Sequence, residues 1–224
     1  MTKSLDSAEL NFWRESIKTS YSSFFGVVGD VAHVILLTYF LTQSDVAIFF
    51  LSYVFLYLFA QIPRGIGIAV RKRASEINKN RSKYLWIGLL IIIPIICVLF
   101  TLLVLGTPIL NSYSSVTLSY SVLQALFFAT IGFAVLEFAR YYIAGCSEPG
   151  LAEKLRTFFA KPLLLLLTGI LLWYNPTVEI ALYAVFSAYF STACIMFYRS
   201  ERKWITPELH EIIDILKFSK WSVL

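Results

Sequence analysis

Charged side chains, cysteine and histidine are all scarce in this sequence of 224 residues. Only 15% of the residues are charged, against about a quarter in a typical soluble domain, and this excludes an ordinary soluble globular protein. The three cysteines, Cys97, Cys146 and Cys194, fall in or beside apolar runs without metal-ligand spacing, and only His33 and His210 can supply an imidazole. The sequence therefore predicts no metal site, no disulfide framework and no cofactor.

Paired acids within the apolar runs are also missing. A membrane transferase acting on polyprenyl phosphates needs clustered carboxylates to hold Mg²⁺, and no two acids inside these runs have such a spacing. A nucleophile with a neighbouring base is not found either, so the sequence predicts a protein that is not an enzyme. The net charge of +5 does not indicate a nucleic-acid partner, because the basic residues lie between apolar runs, where they orient helices and meet anionic headgroups.

Apolar residues dominate what is present. They make up 58% of the chain, and the mean hydropathy is +0.72, so the composition indicates an integral membrane protein. At about 20 residues for each span, the chain has room for roughly six transmembrane helices and for no catalytic domain outside the membrane. We expect an all-α fold with spans at about residues 17–41, 46–70, 85–105, 117–142, 157–174 and 178–198.

The segments that flank the spans are short or polar. Residues 1–18 are expected to form a short interfacial helix, and residues 145–156 an interior loop. Residues 199–224 are expected to form a cytoplasmic amphipathic helix, whose last residues look like the start of a seventh span.

The sequence of this tail indicates where its helix starts and which face is apolar. Thr206, Pro207 and Glu208 are typical of an N-cap, a first helical position and a first-turn acid. The residues expected to share the apolar face are Leu209, Ile212, Ile213 and Leu216. Such a helix is suited to lie on the inner leaflet.

The segment from Pro63 to Tyr84 orients the chain in the membrane. Six cations lie between Arg71 and Lys83, with apolar runs on both sides, and the positive-inside rule assigns such a loop to the cytoplasm. With the amino terminus inside, 18 of the 19 lysines and arginines fall at cytoplasmic positions, and only Arg64 is left within a span. The second interior loop region contributes four of them: Arg140, Lys154, Arg156 and Lys161. We therefore expect a multi-pass protein of the cell membrane with both termini in the cytoplasm.

These features together resemble a known family. After a hairpin of two spans, the pattern G-x-A-V-x-K-R-x-S-E occupies Gly67 to Glu76, and four more spans and a proline-containing amphipathic segment lead to F-x-K-W-S. This order is similar to the amino-terminal half of polysaccharide-biosynthesis transporters of the O-antigen flippase type, particularly archaeal ones, within the larger group that includes MATE-type multidrug exporters. The resemblance implies that the six spans form one lobe of a two-lobed transporter.

The resemblance also implies a function. A flippase of this type would move a lipid-linked oligosaccharide outward for surface polysaccharide or glycoprotein synthesis, by alternating access around a central cavity. Its partners would be membrane lipid, the lipid-linked glycan, and a second half-transporter chain or a second copy of this chain. Two other interpretations stay open: a non-transporting scaffold or inactive remnant of such a transporter, and a cation-coupled exporter of small molecules.

Charged residues within spans are the candidates for function, because each costs about 2.5 to 3.5 kcal/mol at the helix centre and must be compensated. Asp30 lies near the middle of the first span, in a stripe of polar and small residues at three- and four-residue spacing: Thr19, Ser23, Gly26, Asp30 and His33. Asp30 and His33 are candidates for binding a coupling ion or proton. The alternative is structural, with Asp30 hydrogen-bonded to His33 or to a neighbouring helix.

Arg64 and Glu137 share a depth in the membrane, each about 10 Å to the cytoplasmic side of its helix midpoint. An arginine at this depth can hold the diphosphate of a lipid-linked sugar with two parallel hydrogen bonds, so both residues are candidates for substrate binding. The alternatives are an ion pair between Arg64 and Glu137, or an Arg64 side chain that reaches toward the interface. Arg140, nearer the end of its helix, is expected to be an interfacial anchor.

Overall fold

The computed structural model describes residues 7–76, 82–113, 117–146, 149–198 and 207–223. Nearly all of these residues are helical, and no β-strand occurs among them, which confirms the all-α expectation for the described part of the chain. The helices are α1 (Ser7–Phe40), α2 (Gln43–Glu76), α3 (Ser82–Tyr113), α4 (Tyr120–Gly145), α5 (Pro149–Leu155), α6 (Lys161–Tyr174), α7 (Val178–Tyr198) and α8 (Leu209–Val223). A π-helical turn at Arg156–Ala160 joins α5 to α6.

Five helices are long and apolar enough to cross a membrane, as in a multi-pass membrane protein. They are α2, α3, α4, the continuous helix Gly150–Tyr174 and α7. These five correspond to the second to sixth spans expected from the sequence, although the fourth helix begins at Tyr120 and not at residue 117. The expected first span, residues 17–41, falls in α1, where the described apolar stretch Phe24–Phe40 is shorter than the other five.

Three helix boundaries correct the sequence-based expectations. Helix α1 is unbroken from Ser7, so residues 7–18 continue into the first span instead of forming a separate interfacial helix. Helix α3 runs through Pro94 and Pro108 to Tyr113, well beyond the expected end at residue 105. The expected interior loop, residues 145–156, is largely helix α5. The reason is that helix propagation adds one hydrogen bond per residue, so a helix continues past the end of an apolar run.

Helix α4 is the centre of the bundle. In its most apolar stretch 78% of the residues are buried, compared with 33% in α3. Helix α4 packs against α7 on one side and α2 on the other, and glycines allow the close approach. A Cβ on Gly132 would lie 2.9 Å from the carbonyl oxygen of Phe186 in α7, and one on Gly67 of α2 would lie 2.9 Å from the ring of Tyr141 in α4.

Helices α1 and α3 keep many large apolar side chains on the outside of the bundle. Examples are Phe24, Val27, Val31 and Ile35 of α1, and Leu90, Ile93, Leu102 and Leu105 of α3. Apolar surface on this scale is typical of contact with lipid or with another protein. The polar contacts within the bundle therefore gather on the inner faces of the helices.

Helix α8 begins at Leu209 and is capped by its own first turn. The Glu208 N–H donates to Glu211 Oε2 at 3.0 Å, as the third-position acid does in a capping box. The expected N-cap, Thr206, lies outside the described residues. The helix packs mainly against α2 and also touches α3, so it is fixed to the bundle.

The apolar residues of α8 point in two directions rather than one. Ile215 is buried against the bundle and Ile212 is half-buried, whereas Leu209, Ile213 and Leu216 are exposed. Leu209, Ile212, Ile213 and Leu216 lie on one face of α8, as their spacing predicts, and Ile212 is on the edge of that face nearest the bundle. The helix has a buried face, an exposed apolar edge and a polar remainder.

Two interhelical ion pairs hold the buried face of α8 in place. Lys83 Nζ lies 2.6 Å from Glu211 Oε2, and Arg73 Nη2 lies 2.9 Å from Asp214 Oδ2. We call these four residues the α8 dock. Arg73 and Lys83 belong to the basic segment between Arg71 and Lys83. They thus also bind a helix from the other end of the sequence.

Candidate functional site

A polar cavity of about 190 Å³ lies between α2, α4 and the π-helical turn. Its lining residues are Tyr57, Ala60, Gln61 and Arg64 of α2, Phe133, Glu137 and Arg140 of α4, and Arg156 of the turn. Three of the lining side chains are guanidinium groups. We call this space the arginine cavity.

The helical repeat explains how these residues converge. The lining residues of α2 and of α4 follow the same spacing of four and then three positions: Tyr57, Gln61 and Arg64 in one helix, and Phe133, Glu137 and Arg140 in the other. Residues at these spacings lie on one face of an α-helix, so each helix presents one stripe to the cavity. Arg64 and Glu137, which the sequence analysis selected for their shared depth, are thereby brought to one site.

Glu137 is buried and is paired with two arginines. Arg140 Nη1 lies 3.1 Å from Glu137 Oε2, and Arg156 Nε lies 3.8 Å from Glu137 Oε1. Glu153 of α5 approaches the same two arginines, at 3.0 Å from Arg140 Nε and 3.8 Å from Arg156 Nη1. We call these four residues the Glu137 cluster. Charges in apolar surroundings are tolerated only when they are paired in this way.

Arg64 projects into the same cavity from the opposite helix. Its Nε donates a hydrogen bond to Tyr141 Oη at 3.0 Å. Within the described part of the chain no ion pair joins Arg64 to Glu137, whose partners are Arg140 and Arg156. The guanidinium of Arg64 is thus held by a neutral phenol rather than by a carboxylate.

The charge balance of the cavity favours an anionic ligand. In the Glu137 cluster two arginines are offset by two acids, and the charge of Arg64 remains. A guanidinium presents its N–H donors as a planar fork that matches two oxygens of a phosphate group. Gln61 and Tyr57 add neutral hydrogen-bonding groups to the wall. This arrangement can bind a phosphate group or a similar oxyanion.

Asp30 does not line the arginine cavity and is paired with Lys161 of α6. The Asp30 side chain is 55% exposed and the Lys161 side chain only 10%, so the pair lies at the edge of the contact between α1 and α6. Gly29 makes room for this contact, because a Cβ there would lie 3.1 Å from Lys161 Cβ. The structural alternative considered for Asp30 included a bond to a neighbouring helix, and Lys161 supplies that partner.

His33 also faces α6 but contacts other residues. Its Nε2 lies 3.2 Å from Thr168 Oγ1, and its ring packs edge-on against Phe49 with the centroids 5.8 Å apart. The ring is buried, so His33 is part of the packing between α1, α2 and α6. Of the other residues in the expected polar stripe, Thr19 and Ser23 have side chains outside the described part of the structure, and Gly26 faces open space.

Three residues have roles that the sequence analysis missed. Arg140 was expected to be an interfacial anchor, but its side chain is 20% exposed and pairs with Glu137 and Glu153. Arg156 and Lys161 were counted with the loop cations, but Arg156 begins the π-helical turn, Lys161 directly follows it, and they pair with acids of α4 and α1. The only available signal was that these cations lie within or beside apolar runs, because pairing depends on how each helix is rotated.

Neither a metal-binding cluster nor a similar protein assigns a function to these residues. Among the residues that the structure describes, no group of three or more His, Cys, Asp or Glu side chains is placed to hold a metal ion. Compared with protein-family models, curated proteins and solved structures, the chain shows no match.

Proposed function

We propose that the chain is a six-span lobe of a flippase-type transporter in the cell membrane, which translocates a lipid-linked oligosaccharide for surface polysaccharide or glycoprotein synthesis. The observation that carries this proposal is the arginine cavity. It has polar walls and an excess positive charge between helices that are otherwise apolar enough to cross a membrane. Ionisable groups inside a membrane are costly, so their concentration around one cavity supports a ligand-binding role.

The diphosphate that joins lipid to sugar is the group that fits this cavity. Arg64 would contact it through the guanidinium fork, while the Glu137 cluster would keep Arg140 and Arg156 in position behind it. Glu137 itself is neutralised by its two arginine partners, so we propose that it positions those groups rather than contacting the anion. The apolar chain of the carrier lipid would stay in the bilayer.

The transport direction requires a fixed orientation, and we propose that both termini and the segment Arg71 to Lys83 face the cytoplasm. The test is thiol labelling after the native cysteines have been replaced. A cysteine introduced at Asn78 should resist an impermeant reagent in intact cells and react after permeabilisation, whereas one at Ser112 should react in both. Labelling at Asn78 in intact cells would overturn the orientation.

Translocation can be measured in proteoliposomes that contain a fluorescent lipid-linked oligosaccharide. An impermeant reductant quenches only the outer leaflet, so a rise in the quenchable fraction reports movement across the bilayer. We expect Arg64→Lys to slow movement several-fold, because lysine keeps the charge but loses the fork. The matched control is Arg71→Lys, an exposed arginine of the same helix outside the cavity. Folded wild-type chain that binds the lipid without moving it would favour the scaffold interpretation.

A cation-coupled exporter is a second candidate, and the Asp30–Lys161 pair is the observation that favours it. At this contact between two helices, a proton or a cation can replace Lys161 as the partner of Asp30. Asp30→Asn should then alter the dependence of transport on pH or Na⁺. Transport with an unchanged rate and unchanged dependence on both would leave Asp30 with a structural role.

A further inference from the structure

One short backbone segment connects the arginine cavity to the Asp30–Lys161 pair. Arg156 is the first residue of the π-helical turn, and Lys161 is the first residue after it. Arg156 turns toward Glu137 and Glu153, and Lys161 turns toward Asp30. Two ion-paired cations that serve different helices are therefore separated by a single turn.

The geometry of that turn decides whether both cations can point into the protein. In an α-helix, residues five apart are rotated by about 140° from one another, since each residue turns the chain by about 100°. In a π-helix the hydrogen bond runs from residue i to residue i+5, so residues five apart lie close to one side. If this turn became α-helical, Arg156 and Lys161 would have to diverge. One of the two ion pairs would then be lost.

Helix α1 packs directly against this turn. The ring of Phe25 contacts that of Phe158 with the centroids 5.6 Å apart, and Gly29 and Asp30 sit against Lys161. Ala160 is fully buried in the same contact region. Isolated π-turns are uncommon and occur frequently at functional sites. Here the Glu137 cluster holds the first residue of the turn through Arg156, and α1 holds the residue that follows the turn through the Asp30–Lys161 pair.

We propose that Asp30 and Lys161 are positioning residues for the arginine cavity, and that the π-helical turn transmits their state to Arg156. While Asp30 holds Lys161, the turn keeps its π geometry and Arg156 stays at the cavity wall. When the pair is broken, the turn relaxes toward α-helix, Arg156 moves off the wall, and the cavity binds an oxyanion more weakly. By linkage, an anion in the cavity favours the paired state of Asp30 and Lys161. This inference rests on the proposed anion-binding role of the cavity.

The direction in which Asp30→Asn changes the anion affinity separates this positioning effect from simple electrostatics. Asp30→Asn removes a negative charge, and by charge alone it would leave anion binding unchanged or make it tighter. Through the turn, the same substitution releases Lys161 and makes anion binding weaker. Lys161→Gln cannot separate the two effects, because it removes a positive charge and both predict weaker binding.

The experiment measures pyrophosphate binding to the full chain by calorimetry, in nanodiscs of neutral phosphatidylcholine. We expect wild type to bind, Asp30→Asn to bind at least about fivefold more weakly, and Asp30→Glu to remain close to wild type. The control is Glu179→Gln, an acid that accepts from Ser121 at 2.6 Å in the other half of α4 and α7. It should leave the affinity unchanged.

A double-mutant cycle tests whether Arg156 is the connection. Arg156→Gln removes the side chain that the turn holds at the cavity wall, so it should weaken pyrophosphate binding as Asp30→Asn does. Adding Asp30→Asn to Arg156→Gln should then have little further effect, because both act through the same side chain. Each variant is first checked for a single size-exclusion peak and a cooperative melt.

The outcomes distinguish failure of the connection from failure of the cavity. Wild type that binds no pyrophosphate overturns the cavity as an anion site, and this inference with it. Wild type that binds, with Asp30→Asn equal or tighter, overturns only the connection through Lys161. Independent, additive effects of Asp30→Asn and Arg156→Gln overturn the connection through the turn to Arg156.

Discussion

The Glu137 cluster and the α8 dock contain the same number of charges, two acids and two bases in each, but they differ in burial. Glu137 is 9% exposed and its partners are 20 to 35% exposed. In the dock, Lys83 and Glu211 are 15 and 19% exposed, while Arg73 and Asp214 are 39 and 58% exposed. An exposed charge can turn to water when its partner is removed, and a buried one cannot. Equal numbers of charges therefore predict unequal losses of stability: the largest at Glu137, an intermediate one at the Asp30–Lys161 pair, and the smallest at the Arg73–Asp214 pair.

The largest loss of stability is expected for Glu137→Gln, which leaves Arg140 and Arg156 without their buried acid. Removing one partner of a buried pair destabilises by about 3 to 5 kcal/mol. Thermal unfolding in detergent should show a correspondingly lower midpoint. Asp214→Asn is the control, since it likewise replaces a carboxylate by its amide, at the exposed acid of the dock. Equal shifts for the two variants would remove the distinction between the clusters.

An intermediate effect is expected for Lys161→Met, which keeps the apolar stem of the side chain and removes its charge. Asp30 would lose its partner, but its side chain is 55% exposed and therefore less enclosed than that of Glu137. We expect a destabilisation of about 1.5 to 3 kcal/mol, the range for hydrogen bonds to charged groups. The same unfolding assay measures it. A loss as large as that of Glu137→Gln would mean that the pair is more deeply enclosed than its exposure indicates.

The smallest loss of stability is expected for Asp214→Asn at the α8 dock, because the exposed Arg73–Asp214 pair contributes about 0.2 to 1 kcal/mol. The Lys83–Glu211 pair of the dock adds a stabilisation that depends on pH. Burial acts to raise the pKa of the Glu211 carboxyl, but the hydrogen bonds from Lys83 and the Glu208 N–H, with the nearby positive charge, lower it overall. A lowered pKa means that this stabilisation is present at neutral pH. It is lost as the pH falls through the lowered pKa, below the ordinary value of 4.5.

Hydrogen exchange of the α8 backbone measures that loss. Protection in α8 should be steady from pH 7 to about 5, after correction for the intrinsic exchange rate, and should fall in more acid solution. Glu211→Gln should already be less protected at pH 7 and should lose part of the acid sensitivity. An acid response in α8 that is unchanged by Glu211→Gln would assign it to other carboxylates.

Sequence patterns predicted the helices better than they predicted the contacts between them. The expected sixth span and helix α7 share the bounds 178–198, because a proline turn starts this apolar run and a basic segment ends it. Helix α5 was missed because its sequence, PGLAEKL, contains a proline, a glycine and two charged residues and so does not extend the apolar run that follows. Hydropathy reports where a chain meets lipid, and it does not report where helical hydrogen bonding stops.

The cavity was predicted in part. Arg64 and Glu137 could be selected because single charges in apolar runs are few and a depth can be counted in residues. The roles of Arg140, Arg156 and Lys161 could not be predicted, since they depend on helix rotation. The π-helical turn holds one residue more than an α-helical turn and so changes that rotation. The amino-acid composition does not reveal such a turn.

The most direct test of the central claim is whether Arg64 contacts the diphosphate of a lipid-linked sugar. A photoreactive polyprenyl diphosphate oligosaccharide, added to the full chain in nanodiscs, should crosslink near the arginine cavity. The probe concentration that gives half-maximal crosslinking measures its affinity. The account predicts that Arg64→Lys binds several-fold more weakly with an unchanged melting temperature, while Arg71→Lys binds like wild type. Equal affinity for wild type and Arg64→Lys would contradict it.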